Sequence, residues 1–216
     1  NYSISYSLNG GSISGQKTSY NIETANFTLP QPTRNGYTFT GWTGTGLSSA
    51  TKSVTISKGS TGNRSYTANW SANGYTVSFN YNKPSTATGT MSGNGTTSKG
   101  VTYAAAYGNL PQPSIPGWTF NGWYTAANGG SGISATTTYT TTGNQTLYAH
   151  WTINTYSISY NTNGGSLSGQ KTNYNVNTDS FTLPTPTKNG YTFTGWTGSN
   201  GTTAQKIVTI AKGSTG

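Results

Sequence analysis

The chain has 216 residues and a formal net charge of +9, but only 6% of its residues are charged, against about 25% in ordinary globular domains. It contains no Cys, one His and two acidic residues, Glu23 and Asp179. These counts exclude a disulfide framework and thiolate metal sites, and they leave little for acid–base catalysis. An aromatic content of 13% also excludes a simple disordered linker.

The first predicted elements are short strands joined by turns. Apolar and polar residues alternate over Tyr2–Leu8, which is typical of a strand with one buried face. The dipeptide Asn9-Gly10 follows and favours the positive φ angles of a tight turn. Tyr20–Phe27 is the one stretch that could form a helical turn, and the Leu-Pro-x-Pro step at Leu29–Pro32 should be extended.

Further strands are predicted along the rest of this segment. Tyr37, Phe39 and Trp42 mark a second strand, Val54 and Ile56 a third, and Tyr66, Ala68 and Trp70 a fourth. Long amphipathic helices are absent. The pattern therefore predicts a mainly β fold.

The chain is built from three copies of one unit. Tyr2–Gly62 aligns without a gap onto Tyr156–Gly216, with 43 of 61 positions identical. The middle copy carries LPQPSIPGWTFNGW at Leu110–Trp123, and its extra length falls in a Gly/Ser/Thr-rich loop around Lys83–Gly95. We predict domains at 1–71, 74–151 and 155–216, with short links at Ser71–Gly74 and Thr152–Thr155.

These residues resemble a known family. The unit opens Y-x-I-x-Y-x-x-N-G-G, continues L-P-x-P-T-[RK]-N-G-Y-T-F-x-G-W and closes Y-A-[NH]-W, which is similar to the Listeria–Bacteroides repeat, the internalin-B-type B-repeat of bacterial surface proteins. The resemblance implies an α+β, β-grasp-like fold in which a sheet packs on a short helix or helical turn. It also implies a non-enzymatic stalk or adhesive segment of a secreted or cell-surface protein.

The third copy stops before the segment that matches Asn63–Trp70 in the first copy. We therefore expect it to lack its last strand. Either the sequence is cut there, or a neighbouring chain supplies the strand, since an open sheet edge can recruit one from another molecule.

Candidate catalytic and metal-binding residues are few. Glu23 and Asp179 fall in different copies and neither acid recurs, whereas a two-carboxylate glycosidase needs its acids close together. His150 has no partner residues for a metal ion and is interpreted as a surface strand residue. We therefore expect no catalytic, cofactor or metal site, and no enzyme activity.

The recurring Trp residues are predicted to form the core of each repeat, because large rings at fixed positions bury much apolar area. They are Trp42, Trp70, Trp123, Trp151 and Trp196. A second set could contact glycans or other polyanions through exposed rings and charges. Its members are Trp118, Tyr124, Lys52 and Lys58.

Three functions stay open from the sequence. The first is an extracellular stalk or adhesive segment, and the second is a filament or sheath subunit whose chains complete one another through strands. The third is a binding module for anionic wall or host glycans. The expected partners are other repeats of the same or neighbouring chains and, under the third function, anionic glycans or wall polymers. The basic residues form no run and no apolar stretch approaches the roughly 18 residues of a membrane helix, so neither a specific nucleic-acid partner nor a membrane span is expected.

Overall fold

A computed structural model describes residues 1–216 and contains seventeen strands and no helix. The mainly β class is thus confirmed. The strands of the first repeat are β1 Tyr2–Ser7, β2 Ser19–Tyr20, β3 Phe27–Thr28, β4 Tyr37–Gly44, β5 Thr55–Ile56 and β6 Arg64–Ala72. Those of the second are β7 Gly74–Asn80, β8 Ser98–Thr102, β9 Trp118–Tyr124, β10 Gly132–Ile133 and β11 Gln145–Ile153. The third has β12 Tyr156–Ser157, β13 Asn173–Tyr174, β14 Phe181–Thr182, β15 Trp196–Gly198, β16 Gly201–Gln205 and β17 Thr209–Ile210.

The last strand of the first repeat lies inside its sheet. The sheet has the order β2-β1-β6-β4, with β6 parallel to β1 and antiparallel to β4. The second sheet has the order β10-β9-β11-β7-β8, again with the last strand between two neighbours. We call β6 and β11 the closing strands, because each joins the start of its repeat to the strand that carries the Gly-x-x-Phe-x-Gly-Trp segment.

The core of the first repeat forms around the closing strand. Trp42 and Ala68 are fully buried, and Ile4, Phe39 and Tyr66 pack in the same cluster. The rings of Phe39 and Trp42 meet edge-on with centroids 5.3 Å apart, an arrangement that aromatic pairs favour. Alternate residues of β6 supply this inner face, as the period-2 pattern of the sequence requires.

Asn-Gly turns follow the first strand segment of the first and third repeats. Asn9 and Gly10 have φ angles of 48° and 84°, and Asn163 and Gly164 have 47° and 83°. Two successive residues with positive φ suit Asn and Gly, whose steric cost in this region is small. The turn after β1 therefore follows directly from the sequence.

The segment predicted to form a helical turn does not form a helix. Thr24 N–H donates to the carbonyl of Asn21 at 3.1 Å, and Glu23 N–H donates to the Asn21 side-chain oxygen at 3.0 Å. These bonds close a single turn, and the Asn side chain takes a backbone donor that a helix would use. The β-grasp arrangement implied by the resemblance is not confirmed, although the β class is.

Two compact units divide the chain. Unit one contains residues 1–78, 98–109 and 134–145, and unit two contains 79–97, 110–133 and 146–216. Strand β6 extends to Ala72 and β7 begins at Gly74, so Asn73 alone separates them. Likewise Asn154 and Thr155 separate β11 from β12. No helix in the chain is long and apolar enough to cross a membrane.

Candidate functional site: the repeat joints and the open groove

The candidate functional site consists of two joints between repeats, and a groove in the third repeat is described after them. Each joint is centred on an Asn that follows a closing strand: Asn73 after β6 and Asn154 after β11. The first joint lies wholly within unit one and the second wholly within unit two.

In the first joint, Asn73 is held by its backbone and its side chain. Its N–H donates to the carbonyl of Gly36 at 3.0 Å, and its carbonyl accepts from the N–H of Tyr103 at 2.9 Å. Its side-chain oxygen accepts from the hydroxyl of Thr38 at 2.6 Å. One residue thus ties the end of the first repeat to the start of the second.

In the second joint, Asn154 makes the same contacts to the preceding repeat that Asn73 makes in the first joint. Asn154 N–H donates to the carbonyl of Gly117 at 2.9 Å, and its side-chain oxygen accepts from the Thr119 hydroxyl at 2.6 Å. The recurrence of the same bonds at the same repeat position makes the joint a property of the repeat.

A glycine in each joint lets the next repeat approach closely. A Cβ on Gly36 would overlap the ring of Tyr103, and a Cβ on Gly117 would overlap the side chain of Val176. Both glycines have positive φ, 77° and 76°. Tyr37 lies edge-on to Tyr103 with ring centroids 5.4 Å apart. We call Gly36 to Thr38, and the matching 117–119 and 190–192, the joint faces.

The matching face of the third repeat is exposed. Tyr191, which corresponds to Tyr37, is 72% exposed, and a Cβ on Gly190 would meet no atom within 4 Å. In the first repeat, Ile22 holds the place that Tyr103 and Val176 hold in the later repeats, and it is 50% exposed. The joint face is therefore exposed in the third repeat, and the position that would contact such a face is exposed in the first repeat.

A groove crosses the third repeat where the closing strand lies in the first. The cavity measures about 890 Å³ and is lined on one side by Ser157–Asn163 and on the other by Tyr191–Thr197. These segments match Ser3–Asn9 and Tyr37–Thr43, which flank β6. We call it the open groove. Ile158 and Phe193 are partly exposed there, whereas Ile4 and Phe39 are buried.

The pairing of the groove walls is also reduced. Strand β1 spans six residues, but β12 spans only Tyr156–Ser157. Strand β4 spans eight residues, but β15 spans three. The groove walls therefore carry fewer paired residues than β1 and β4.

The predicted core Trp residues occupy two environments. Trp42, Trp123 and Trp196 are buried, at 0%, 1% and 8% exposure. Trp70 and Trp151 are partly buried on the closing strands, where their indole N–H groups donate to Leu8 and Tyr81 carbonyls, each at 3.0 Å. These bonds anchor the end of each closing strand.

The residues proposed for glycan contact are placed apart. Trp118 and Tyr124 are the first and last residues of β9, which at about 3.3 Å per residue separates them by about 20 Å. The ring of Tyr124 stacks on His150 with centroids 3.9 Å apart. The indole N–H of Trp118 is buried without a hydrogen-bond partner. Lys52 is exposed, and Lys58 forms an exposed ion pair with Glu23 at 3.0 Å.

Both acidic residues form exposed ion pairs with Lys. Asp179 pairs with Lys212 at 2.9 Å, and the hydrogen bond from Lys212 lowers the pKa of Asp179. A carboxyl with a lowered pKa stays ionised near neutral pH and is a poor general acid. The chain has no group of three or more His, Cys, Asp or Glu residues that could hold a metal ion.

Comparison with known proteins agrees with this repeat organisation. The model of the Listeria-Bacteroides repeat domain matches residues 2–68, 75–150 and 156–215. The chain belongs to the Listeria-Bacteroides repeat family. The three matches correspond to the three copies, and the two joints lie between consecutive matches of the Listeria-Bacteroides repeat.

Two relatives carry similar segments. A protein named "Putative Gly-rich membrane protein" from Evansella cellulosilytica is 33% identical over 200 residues, which cover 90% of this chain and 21% of that protein. Internalin H of Listeria monocytogenes is 39% identical over 90 residues, covering 40% of this chain and 16% of that protein. The chain thus matches only about a fifth or less of each relative's length.

Sequence reasoning missed the joint residues. Asn73 and Asn154 fall in segments that were interpreted only as links, and no contact between repeats was assigned to the joint glycines. A signal was present: both closing strands end Trp-x-x-Asn, as WSAN and WTIN. A recurring Asn three residues after a recurring Trp indicates a specific contact of that Asn.

Proposed function

We propose that the chain is a non-enzymatic spacer segment of an extracellular or cell-surface bacterial protein. Its repeats are coupled by the Asn-centred joints. The observation that carries the proposal is the recurrence of the joint, in which Asn73 and Asn154 each bind the Gly and Thr of the preceding joint face. Asn73 also accepts from the N–H of Tyr103 in the second repeat, and bonds on both sides of a single residue limit bending at that link, which is what a spacer needs.

Two further features support this proposal. The names of the relatives, an internalin and a membrane protein, favour a location at the cell surface. The low charge and the two exposed Lys–acid pairs leave a surface dominated by hydroxyls and amides, which is suited to separating other domains without binding strongly itself.

The filament alternative would need an unpaired sheet edge that accepts a strand from another chain. The glycan alternative has less support. Two of its four residues are engaged in other contacts, Tyr124 with His150 and Lys58 with Glu23, and Trp118 lies about 20 Å from Tyr124 along β9.

Sedimentation and polyanion chromatography separate the three functions. A spacer predicts a monomer at all concentrations and elution from a heparin column at low salt. A filament subunit predicts mass that grows with concentration and persists at high salt. A glycan module predicts tight retention that falls steeply with salt, because counterion release dominates such contacts. Either of the last two results would overturn the spacer proposal.

A further inference from the structure

We propose that Asn94 is a site of spontaneous covalent modification, at which the side-chain amide is lost as ammonia and aspartate or isoaspartate forms. The fold protects Asn73, the residue at the centre of the first joint, from the same reaction. The dipeptide Asn-Gly occurs nine times in the chain, and the fold decides which of these pairs react. The inference concerns the chemistry of the chain and does not rest on the spacer function.

The reaction is intramolecular and needs only water. The backbone nitrogen of Gly95 attacks the side-chain carbon Cγ of Asn94, the Cγ–Nδ2 bond breaks, and ammonia leaves with the proton of the Gly95 amide. Water then opens the resulting succinimide ring at one of its two carbonyls, which leaves aspartate or isoaspartate at position 94. Glycine favours the first step, because it has no side chain to hinder its nitrogen and its backbone is conformationally permissive.

Asn94 lies in a part of the second repeat that puts little in the way of this reaction. Residues 92–98 are all exposed, and a Cβ on Gly95 would meet no atom within 4 Å. Neither the side-chain amide of Asn94 nor the N–H of Gly95 has a hydrogen-bond partner in the chain. Exposed segments with few contacts rearrange at low cost in free energy, so the Asn94 side chain can reach the Gly95 nitrogen.

The loop is fixed on both sides of this reactive pair. Ser92 and Ser114 exchange two backbone hydrogen bonds, both at 3.0 Å. The hydroxyl of Tyr81 donates to the carbonyl of Thr96 at 2.6 Å. The extra backbone carbon of an isoaspartate would fall between these two attachments, in open space. The modification should therefore change the charge of the loop and leave the core of the second repeat intact.

Asn73 is also followed by a glycine, Gly74, but its side chain is held in place. Its side-chain oxygen accepts from the hydroxyl of Thr38 at 2.6 Å, and its Nδ2 donates to the hydroxyl of Tyr75 at 3.4 Å. Its backbone N–H and carbonyl are both bonded as well. Attack by the Gly74 nitrogen requires the amide to rotate, which breaks the side-chain bonds, so each of them slows the reaction.

Two further Asn-Gly pairs have a bonded amide. The side-chain Nδ2 of Asn9 donates to a carbonyl of β6 at 2.9 Å, and that of Asn121 donates to the hydroxyl of Thr152 at 2.7 Å. The second joint does not depend on such protection, because Asn154 is followed by Thr, whose stiff, branched side chain hinders its nitrogen. The reaction should therefore modify the exposed loop and spare both joints.

The test incubates the full 216-residue chain at mildly alkaline pH and follows each Asn by peptide mapping. Tandem mass spectrometry with fragmentation that distinguishes isoaspartate from aspartate identifies the products. Asn94 should convert at least about tenfold faster than Asn73, since two side-chain hydrogen bonds protect the latter. In guanidinium chloride the two residues should convert at similar rates, because the unfolded chain has neither the fixed joint nor the open loop.

Matched variants in the loop locate the reaction. Gly95→Val should suppress conversion of Asn94, because a branched side chain covers the attacking nitrogen. Gly95 does not have a positive φ and has open space around it, so the fold tolerates this change. Thr97→Val adds a similar apolar side chain to the same exposed segment and should leave the rate unchanged.

A second pair of variants tests the protection at the joint. Thr38→Val removes the hydroxyl that binds the Asn73 side chain, and it should speed the conversion of Asn73 about threefold or more. Thr40→Val removes a hydroxyl from the same strand, β4, that does not contact Asn73. It should have no effect on that rate.

Four results would overturn the proposal. The first is an Asn94 that stays intact in the folded chain, and the second is an Asn73 that converts as fast as Asn94 does. The third is the same tenfold difference in guanidinium chloride, which would show that neighbouring residues in the sequence set the rates and the fold does not. The fourth is an unchanged rate at Asn73 in the Thr38→Val variant, which would show that the joint does not protect it.

Discussion

Three glycines at the same repeat position share one backbone conformation but differ in the contacts around them. Gly36, Gly117 and Gly190 have φ angles of 77°, 76° and 77°. The first two lie against a side chain of the next repeat, and the third has open space around it. The same substitution at these sites therefore isolates the contribution of close approach at the joint.

Gly36→Ala should destabilise unit one more than Gly190→Ala destabilises unit two. Both variants carry the cost of positive φ for Ala, about 1–2 kcal/mol, but only the Gly36 variant must also displace Tyr103, at a further 1–3 kcal/mol or so. Differential scanning calorimetry of the single variants measures this difference.

Tyr103→Ala supplies the control for that experiment. In the double variant Gly36→Ala/Tyr103→Ala the added Cβ no longer meets a ring. The loss in free energy of unfolding should therefore be less than the sum of the losses in the two single variants. Additive losses, or equal effects at Gly36 and Gly190, would show that Tyr103 does not press on the joint.

Buried tyrosines should make the folded chain less stable at alkaline pH. Burial raises the pKa of Tyr107 and Tyr139 above the ordinary value of 10.0. The unfolded chain then loses these protons first as pH rises, so stability is complete below pH 10 and falls above it. Thermal melts from pH 7 to 11, followed together with tyrosinate absorbance, should show this fall. A melting temperature that stays constant to pH 11 would contradict it.

At the scale of elements, the closing strand organises the first and second repeats. It lies between two strands of its own sheet, and Ala68 and Ala149 are fully buried at its centre. A small residue there permits large neighbours such as Trp42 to fill the core. Because the large neighbours already fill the core, added side-chain atoms at this position should destabilise the repeat.

Ala68→Leu should therefore lower the stability of unit one by about 1–3 kcal/mol or more. Thr67→Leu is the matched control, because Thr67 lies in the same strand, is partly exposed and alternates to the other face. Its effect should stay within about 0.5 kcal/mol. Chemical denaturation followed by Trp fluorescence tests the pair, and equal losses would argue against a core that is closed around Ala68.

Hydrogen exchange should reveal the difference between the first and third repeats. Residues 159–161 and 192–195 lie outside the strands of the third repeat, whereas the matching residues of the first repeat lie in β1 and β4. We expect the former to exchange much faster. Equal protection of both sets would mean that the groove walls pair in solution.

The sequence predicted the elements whose cause is local. The Asn-Gly turn after β1 and the alternating strands follow from residues that are close together in the chain. The stretch Tyr20–Phe27 forms a single turn and no helix, because Asn21 bonds to its own neighbours. The short strands β12 and β15 depend on whether a distant strand lies between them, and local patterns do not report such pairing.

The candidate site was less accessible to sequence reasoning. The Trp residues were expected to pack inside the repeats, and three of them are buried. The joint escaped notice because Asn73 stands among Ser, Ala and Gly, which are ordinary link residues. Its role depends on Gly36 and Thr38, which are more than thirty residues away in the sequence.

At the scale of the whole molecule, the chain combines repeated joints with few charges. The two ion pairs are exposed, and such pairs contribute about 0–1 kcal/mol. Salt between 0.05 and 0.5 M, roughly the range over which surface charges become screened, should change the melting temperature by only a few degrees. A shift of more than about ten degrees would show that charge governs stability.

The most direct test of the account measures the first joint. The chain has no Cys, so Ser53→Cys and Ala105→Cys place spin labels on exposed sites in the first and second repeats, both within unit one. Pulsed electron resonance should give one narrow distance distribution, and Asn73→Ala should broaden it, while the control Asn109→Ala should not. A distribution that is already broad in the parent chain, or unchanged by Asn73→Ala, would contradict the claim that this Asn couples the repeats.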